Sequence, residues 1–294
     1  MMFDATTGNT SFHGPDLPEL SLQCVLNFKY LGVQISCSPY NMFRCFNDQV
    51  KKKARCYLAS VLSLVKSGPD RASLAHALWT SCALPSILYG AEVLPLTQET
   101  ISEVEKCQAA VGKFMLQISR SSANVASHLD AGMKPIWARV SEKVMLYAYK
   151  VMGKPSSYWG KLAYDENIAM GAKSAYTRYL LKWKSATNCF GLHPKQIRAT
   201  VNSAAISSIL QEQTTVCSTT FAMNSPSQSN INSWFKPKRW VNDSYSSKII
   251  AEFRACNSNL GNRGPARDGN FYKLCPLCSS TGKTALNNEV SHQS

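Results

Sequence analysis

The 294-residue chain is predicted to be mainly α, with a short N-terminal β-hairpin, a helical bundle and a small C-terminal cysteine-containing module. Three observations carry that expectation. Apolar residues recur at three- and four-residue spacing through most of residues 46–212, which is the helical period. A run of aromatic and β-branched residues, Leu26 to Ile35, comes before them and reads as strand. At the far end, Cys275-Pro276-Leu277-Cys278 lies in a polar stretch with no helical stripe. Hydrophobic residues make up 45% of the chain and charged residues 17%, so a folded core is expected rather than disorder.

Residues 1–24 are polar, contain Gly14, Pro15 and Pro18, and read as a flexible lead-in. Residues 25–45 hold the hairpin, with Gly32 as its bulge or bend. Residues 46–130 are a first helical group. Asn47 or Asp48 is the expected cap of its first helix, and Val50, Ala54, Tyr57, Leu58, Val61 and Val65 form the buried stripe. Gly68-Pro69 ends it. Leu74, Leu78 and Cys82 mark a second helix that should stop at Pro85. Thr100 is expected to cap a third, with Ile101, Val104, Val111, Phe114, Met115 and Ile118 inside. Glu103 and Glu105 would then stand in its first turn, where acids suit the helix dipole.

Residues 131–212 are a basic helical region. Pro135 fits the first turn of a helix whose apolar stripe is Ile136, Val140, Val144, Tyr147 and Val151. Arg139, Lys143, Lys150 and Lys154 form a second stripe, roughly 70° around the helix from the first. Tyr176, Tyr179, Leu180 and Trp183 share one side of a helix over 173–188 and read as core in preference to a base-stacking face. Asp165-Glu166 reads as a polar loop or helix start, and residues 196–212 as a last helix. Residues 213–233 are a polar linker, and 234–294 a basic and aromatic C-terminal region.

Charge sorts the possible functions. The formal net charge is +14, and it falls in three blocks. Residues 29–71 carry eight Lys/Arg against two acids, 134–198 twelve against three, and 236–273 eight against three. A field of this kind attracts polyanions. The best phosphate contacts are Lys51, Lys52, Lys53 and Arg55, and the edge Arg139, Lys143, Lys150 and Lys154. Trp234, Lys236, Lys238, Arg239 and Trp240, with Phe235 among them, combine charge and rings as a single-strand contact would.

No stretch approaches the ~18 apolar residues of a membrane span, so no membrane partner is expected. Eleven scattered cysteines and no secretory pattern suit free thiols in an intracellular chain, nuclear or cytoplasmic. Cys275 and Cys278 have the spacing of two zinc ligands, and His292 would be a third in an incomplete site. A redox pair and two ordinary thiols are the other readings. Gly282-Lys283-Thr284 lacks the upstream glycine of a phosphate loop. None of the five histidines has a matching nucleophile, and His76 reads as a satisfied packing residue.

Four segments together resemble a known family. Phe28-Lys29-Tyr30-Leu31-Gly32-Val33-Gln34-Ile35 resembles the segment closing the palm of non-LTR (LINE-type) retrotransposon reverse transcriptases. Ile87-Leu88-Tyr89-Gly90-Ala91-Glu92-Val93 is similar to a segment downstream in the same polyproteins. Ile101 to Gln108, followed by Lys113 to Leu116, resembles the helix after it. Cys275 to Cys278 stands where the family's C-terminal zinc knuckle begins. Order and spacing agree over about residues 25–290.

The resemblance implies that 27–36 is the hairpin near the primer grip and 46–130 a thumb-like bundle. The remainder would be the region and knuckle that hold template RNA and target DNA. It also implies that polymerisation, with Mg²⁺, belongs to palm aspartates in a Phe/Tyr-x-Asp-Asp motif. Only Asp4, Asp16 and Glu19 precede the Tyr-Leu-Gly segment here, so no polymerase activity is expected of this chain alone. The knuckle departs from the family too, with Ser291 in the usual histidine position and His292 displaced by one. A helical adaptor that binds a protein partner is the alternative expectation.

Overall fold

A computed structural model describes residues 9–14, 17–23, 27–30, 32–36, 43–66, 70–120, 122 and 124–216. They are mainly helical, as expected. The chain divides into two compact units between Gln49 and Val50.

In the first unit, β1 (Asn9–Gly14) and β2 (Leu17–Gln23) pair antiparallel. Two paired strands thus stand where a flexible lead-in is expected. The alternation of Leu20 and Leu22 with Glu19, Ser21 and Gln23 is the strand pattern that the prolines and glycine obscure. A second antiparallel pair joins β3 (Asn27–Tyr30) to β4 (Val33–Ser36), with Tyr30 opposite Val33. Gly32 takes φ +83° at the turn, a value that favours glycine. Gln49 donates to the Gly32 carbonyl at 2.8 Å and accepts from the Gln34 amide at 3.3 Å, satisfying backbone at that turn. Helix α1 (Arg44–Val65) starts earlier than its expected cap. Asn47 therefore lies inside it, and its amide donates to the Phe43 carbonyl at 2.9 Å instead of capping free N–H groups.

The second unit is a helical bundle. Val50, Ala54, Val61 and Val65 of α1 are buried, while Tyr57 and Leu58 are half-buried. Asp70 caps α2 (Arg71–Ala77) by accepting from the Ser73 amide. The chain then passes Pro85 without stopping. Proline has no N–H to give, and the helix widens into a π-helical turn over Leu78–Ala83, where the Leu84 amide reaches back to the Trp79 carbonyl. One more turn, α3 (Leu84–Ile87), follows. The expected Leu74/Leu78/Cys82 stripe is also not the buried one: Leu74 and Cys82 are exposed. Ala72, Ala75, Trp79 and Ala83 face inward, because small residues let α2 approach the next helix closely while Trp79 fills the space beside them.

Helix α4 (Gln98–Leu116) is capped by Thr97, which accepts from the Thr100 amide at 3.2 Å, three residues before the expected cap. Ile101, Val104, Val111 and Met115 are buried as the stripe requires. Gln117 ends the helix at φ 56°, and the Ile118 amide returns to the Lys113 carbonyl. Gly112 lets α5 (Val125–Leu129) come close, since a Cβ there would stand 2.4 Å from the Ser127 Cβ.

Helix α6 (Ile136–Met152) is central, packed against α4, α7 (Trp159–Ala169), α8 (Ala175–Thr187) and α9 (Pro194–Val216). Contacts α4–α6 and α5–α9 cross residue 130, so no boundary separates the two expected helical groups. Asp165-Glu166 lies within α7, not at a loop or helix start. Tyr179, Leu180 and Trp183 of α8 are core, and α9 buries Ile197, Val201, Ala205 and Ile209. α9 runs to Val216, so the first four residues assigned to the linker are helical.

The bundle's polar centre lies at the start of α6. Glu105 of α4 accepts from the Ile136 amide at 2.6 Å and from Gln108 at 3.0 Å. Its other neighbour is His128 Nε2, 3.4 Å away. His128 Nδ1 stands 2.7 Å from the Met133 carbonyl, which can only accept, so Nδ1 carries a hydrogen. Gln108 also donates to the Lys134 carbonyl and accepts from Trp79 Nε1. Neither Glu103 nor Glu105 stands in the first turn of its own helix, as the sequence suggests, because α4 starts at Gln98 and the acid in its first turn is Glu99. The Glu105 carboxyl instead meets the N-terminus of α6.

Burial pushes the Glu105 carboxyl above the usual carboxylate range, against the pull of His128, the Ile136 amide and Gln108. A carboxyl raised on folding holds its proton more tightly in the native state, so its contribution to stability falls as pH rises from the ordinary value to the raised one. Glu105→Ala leaves the Ile136 amide unpaired and should cost about 1–3 kcal/mol in urea denaturation. Glu105→Gln keeps an acceptor and should cost less. Across the window from the ordinary carboxylate value, about 4.3, up to the raised one, the stability of the native chain should decline relative to Glu105→Gln. A difference that stays flat across that window rules out a titrating carboxyl here.

Candidate nucleic-acid interface

Two of the basic blocks meet at one turn. α3 is a single turn, so its last carbonyls have no helical partner. Lys53 of α1 donates to the Ser86 carbonyl at 3.5 Å, and Lys143 of α6 to the Leu88 carbonyl at 3.1 Å. Tyr57 adds a bond to Ser86 Oγ at 2.9 Å, and Tyr179 of α8 one to the Ala91 carbonyl at 3.0 Å. Gly90 makes the bend at φ +83°. The Ile87–Val93 segment is therefore a turn gripped from α6 and α8, with α1 holding Ser86 just before it, and with cations where helix C-terminal carbonyls favour them.

The cations expected to meet phosphate divide into two groups. Lys51 pairs with Glu99 at 2.9 Å, and Arg55 with Glu103 at 3.2 Å. Hydrogen bonds from Lys106 and Arg55 hold the Glu103 carboxyl below its usual range. Lys143 faces Glu92 at 3.5 Å. Arg139 is half-buried and donates to the Lys134 carbonyl at 3.4 Å. Burial lowers its pKa from the ordinary guanidinium value. Each of these side chains already has a partner on the bundle. Lys52, Lys150 and Lys154 are exposed. None of the three has an acidic partner among the described residues. The division follows from the place of α6. Neighbours cover its first half, so Arg139 and Lys143 are drawn inward, while Lys150 and Lys154 stand at its open end.

Sequence reasoning missed what lies beside that end. Trp159 is 84% exposed and Tyr158 49%. Lys154 Nζ stands 5.9 Å from the Tyr158 ring centre. Gly160 leaves room for that ring, since a Cβ at 160 would meet Tyr158 Cε1 at 2.7 Å. A legible signal was present: Lys154-Pro155-Ser156-Ser157-Tyr158-Trp159-Gly160-Lys161 interleaves rings and cations as Trp234 to Trp240 does. Of α7's residues only Tyr164 is buried, so no stripe claims Trp159 for the core.

Trp234, Lys236, Lys238, Arg239 and Trp240 lie outside the described residues, as do Cys275, Cys278 and His292. Among the described residues no group of three or more His, Cys, Asp or Glu could hold a metal ion. Cys45, Cys56, Cys82, Cys107 and Cys189 are unbridged. His76 is not fully satisfied: its Nε2 is buried without a hydrogen-bond partner, and burial lowers its pKa. No described helix is long and apolar enough to cross a membrane. The chain matches no family model, no curated protein and no solved structure.

Lys143→Ala should cost about 1–3 kcal/mol of stability, because Glu92 loses the cation it faces and the Leu88 carbonyl keeps only the Ala91 amide. Lys150→Ala should change it by less than about 0.5 kcal/mol, as an exposed side chain without a partner does. Guanidinium denaturation of the two variants reads the difference. Equal effects would mean that the two cations do not differ in role.

Proposed function

We propose that the chain is the nucleic-acid-binding C-terminal part of a non-LTR retrotransposon reverse transcriptase. It would be a fragment of an RNA-directed DNA polymerase that lacks the catalytic palm aspartates. The observation that supports this reading best is the surplus of exposed, acid-free cations: Lys52 on α1, and Lys150 and Lys154 at the end of α6. In this reading the helices from α1 onward act as a thumb-like clamp on an RNA–DNA duplex. Such a clamp holds phosphates and fixes position without reading sequence.

Anisotropy of a labelled RNA–DNA hybrid tests it. Affinity should fall steeply with salt, and Lys150→Ala and Lys154→Ala should each reduce the salt slope by about one. Binding that ignores salt, or no binding even at low salt, would sink the proposal.

The same reading assigns Cys275, Cys278 and His292 three zinc positions in the C-terminal cysteine module. Elemental analysis should then find about one zinc per chain. A metal-free chain with an unchanged fold removes zinc from the reading.

A second reading has its own support. Leu162 and Ile168 of α7 and Met170 just after it are 46%, 40% and 46% exposed. An apolar surface of this kind suits a helical adaptor that docks a protein partner. Such a chain would bind neither DNA nor RNA at any salt.

A further inference from the structure

We propose that the surface made by Lys150, Lys154, Tyr158 and Trp159 binds single-stranded nucleic acid, with a base stacked on Trp159 and phosphates held by the two lysines. This rests on the nucleic-acid reading above and narrows it to one form of the strand and one set of residues.

Among the described residues Trp159 is the most exposed of the large hydrophobic side chains, at 84%. An indole left in water forgoes the burial that usually stabilises it, and a π-face in the open is a stacking platform for any base. Its surroundings are those of a polyanion site. No Asp or Glu occurs between Lys143 and Tyr164. The first acid after them, Asp165, is already paired with Lys161 at 2.5 Å. Lys150 and Lys154 therefore face water with no acid of their own, and Lys154 lies over the Tyr158 ring. The close fit of Gly160 under that ring fixes Tyr158 at the start of α7. Charge and stacking thus come from adjacent places, α6's open end and α7's first residue.

Single strands fit this surface better than duplex does. In a duplex the bases are already stacked and only phosphates are offered, which the lysines alone would serve. An anionic membrane is the other polyanion that takes an exposed tryptophan. It fits less well, because exposed Asp165 and Glu166 lie on the same helix as Leu162 and Ile168 and would repel anionic headgroups.

The test uses the whole chain with labelled oligo-dT and oligo-rU of about 20 nucleotides, a matched RNA–DNA duplex, and vesicles of phosphatidylcholine with phosphatidylserine. Trp159→Ala should weaken binding to the single strands by about 5- to 100-fold, with circular dichroism and duplex affinity unchanged. Trp159→Phe should recover much of the loss, because a phenyl ring still stacks. If Trp159→Ala binds single strands as the native chain does, the inference falls while the nucleic-acid reading stands. If neither strands nor duplex bind the native chain, both fall. Vesicle binding that depends on Trp159, without strand binding, overturns the inference in favour of a membrane surface.

Discussion

Glu105 accepts a hydrogen bond from the first amide of α6, and the place of the bundle's central helix follows from that contact. Pro135 precedes this amide and brings α6 into line, but it has no N–H and its side chain offers no acceptor. The free amides at a helix start need partners when they are inside a protein. A carboxylate is the strongest one available, because it also meets the positive end of the helix dipole. Burying that carboxylate is costly unless its remaining lone pairs are used. Gln108 and His128 use them, and they in turn hold the Lys134 and Met133 carbonyls. Trp79 closes the set from the π-helical turn. Four elements are thus tied through one side chain.

The centrality of α6 decides which cations are free. Its N-terminal half lies among α4, α8 and α9, where a charge must be paired. Lys134 reaches Glu142, and Arg198 of α9 reaches the other oxygen of the same carboxylate at 3.3 Å. Lys143 is held by Glu92 and the Leu88 carbonyl. Further along, Lys150 on the same helix and Lys154 just past its end have no acidic partner among the described residues. Seven residues separate Lys143 from Lys150, about two turns, and that rise along the axis is enough to pass from packing to solvent.

Helices were legible in the sequence where large apolar residues mark one face. Val50, Ala54, Val61 and Val65 were readable in this way, and so were Ile136, Val140 and Val144. Reading failed where burial does not follow residue size. Leu74 stays outside and Ala72 and Ala75 go in, because close approach selects small side chains. It failed at Pro85, since a π-helical turn absorbs the missing N–H and lets the helix continue. It failed at Asp165-Glu166, where exposed acids on a helix look like a loop. For the candidate site, spacing gave the basic stripe of α6 but could not tell its spent cations from its open ones. That distinction depends on the Lys134 carbonyl beside Arg139 and, for Lys143, on Glu92 and the Leu88 carbonyl, partners far away in sequence.

The segments that carry the family resemblance and the surface proposed to meet nucleic acid are different parts of the molecule. Ile87 to Val93 is gripped from α6 and α8: Gly90 makes the bend, the Leu88 and Ala91 carbonyls accept from Lys143 and Tyr179, and Glu92 faces Lys143. Ile101 to Gln108 supplies Val104, Glu105 and Gln108 to the interior. Residues of this kind are fixed by packing, so a likeness built on them speaks of architecture. Trp159, Lys150 and Lys154 belong to none of those segments, and they stabilise nothing visible in the bundle. An exposed indole beside acid-free lysines has no reason in folding, and a ligand that supplies both a ring and a negative charge gives it one.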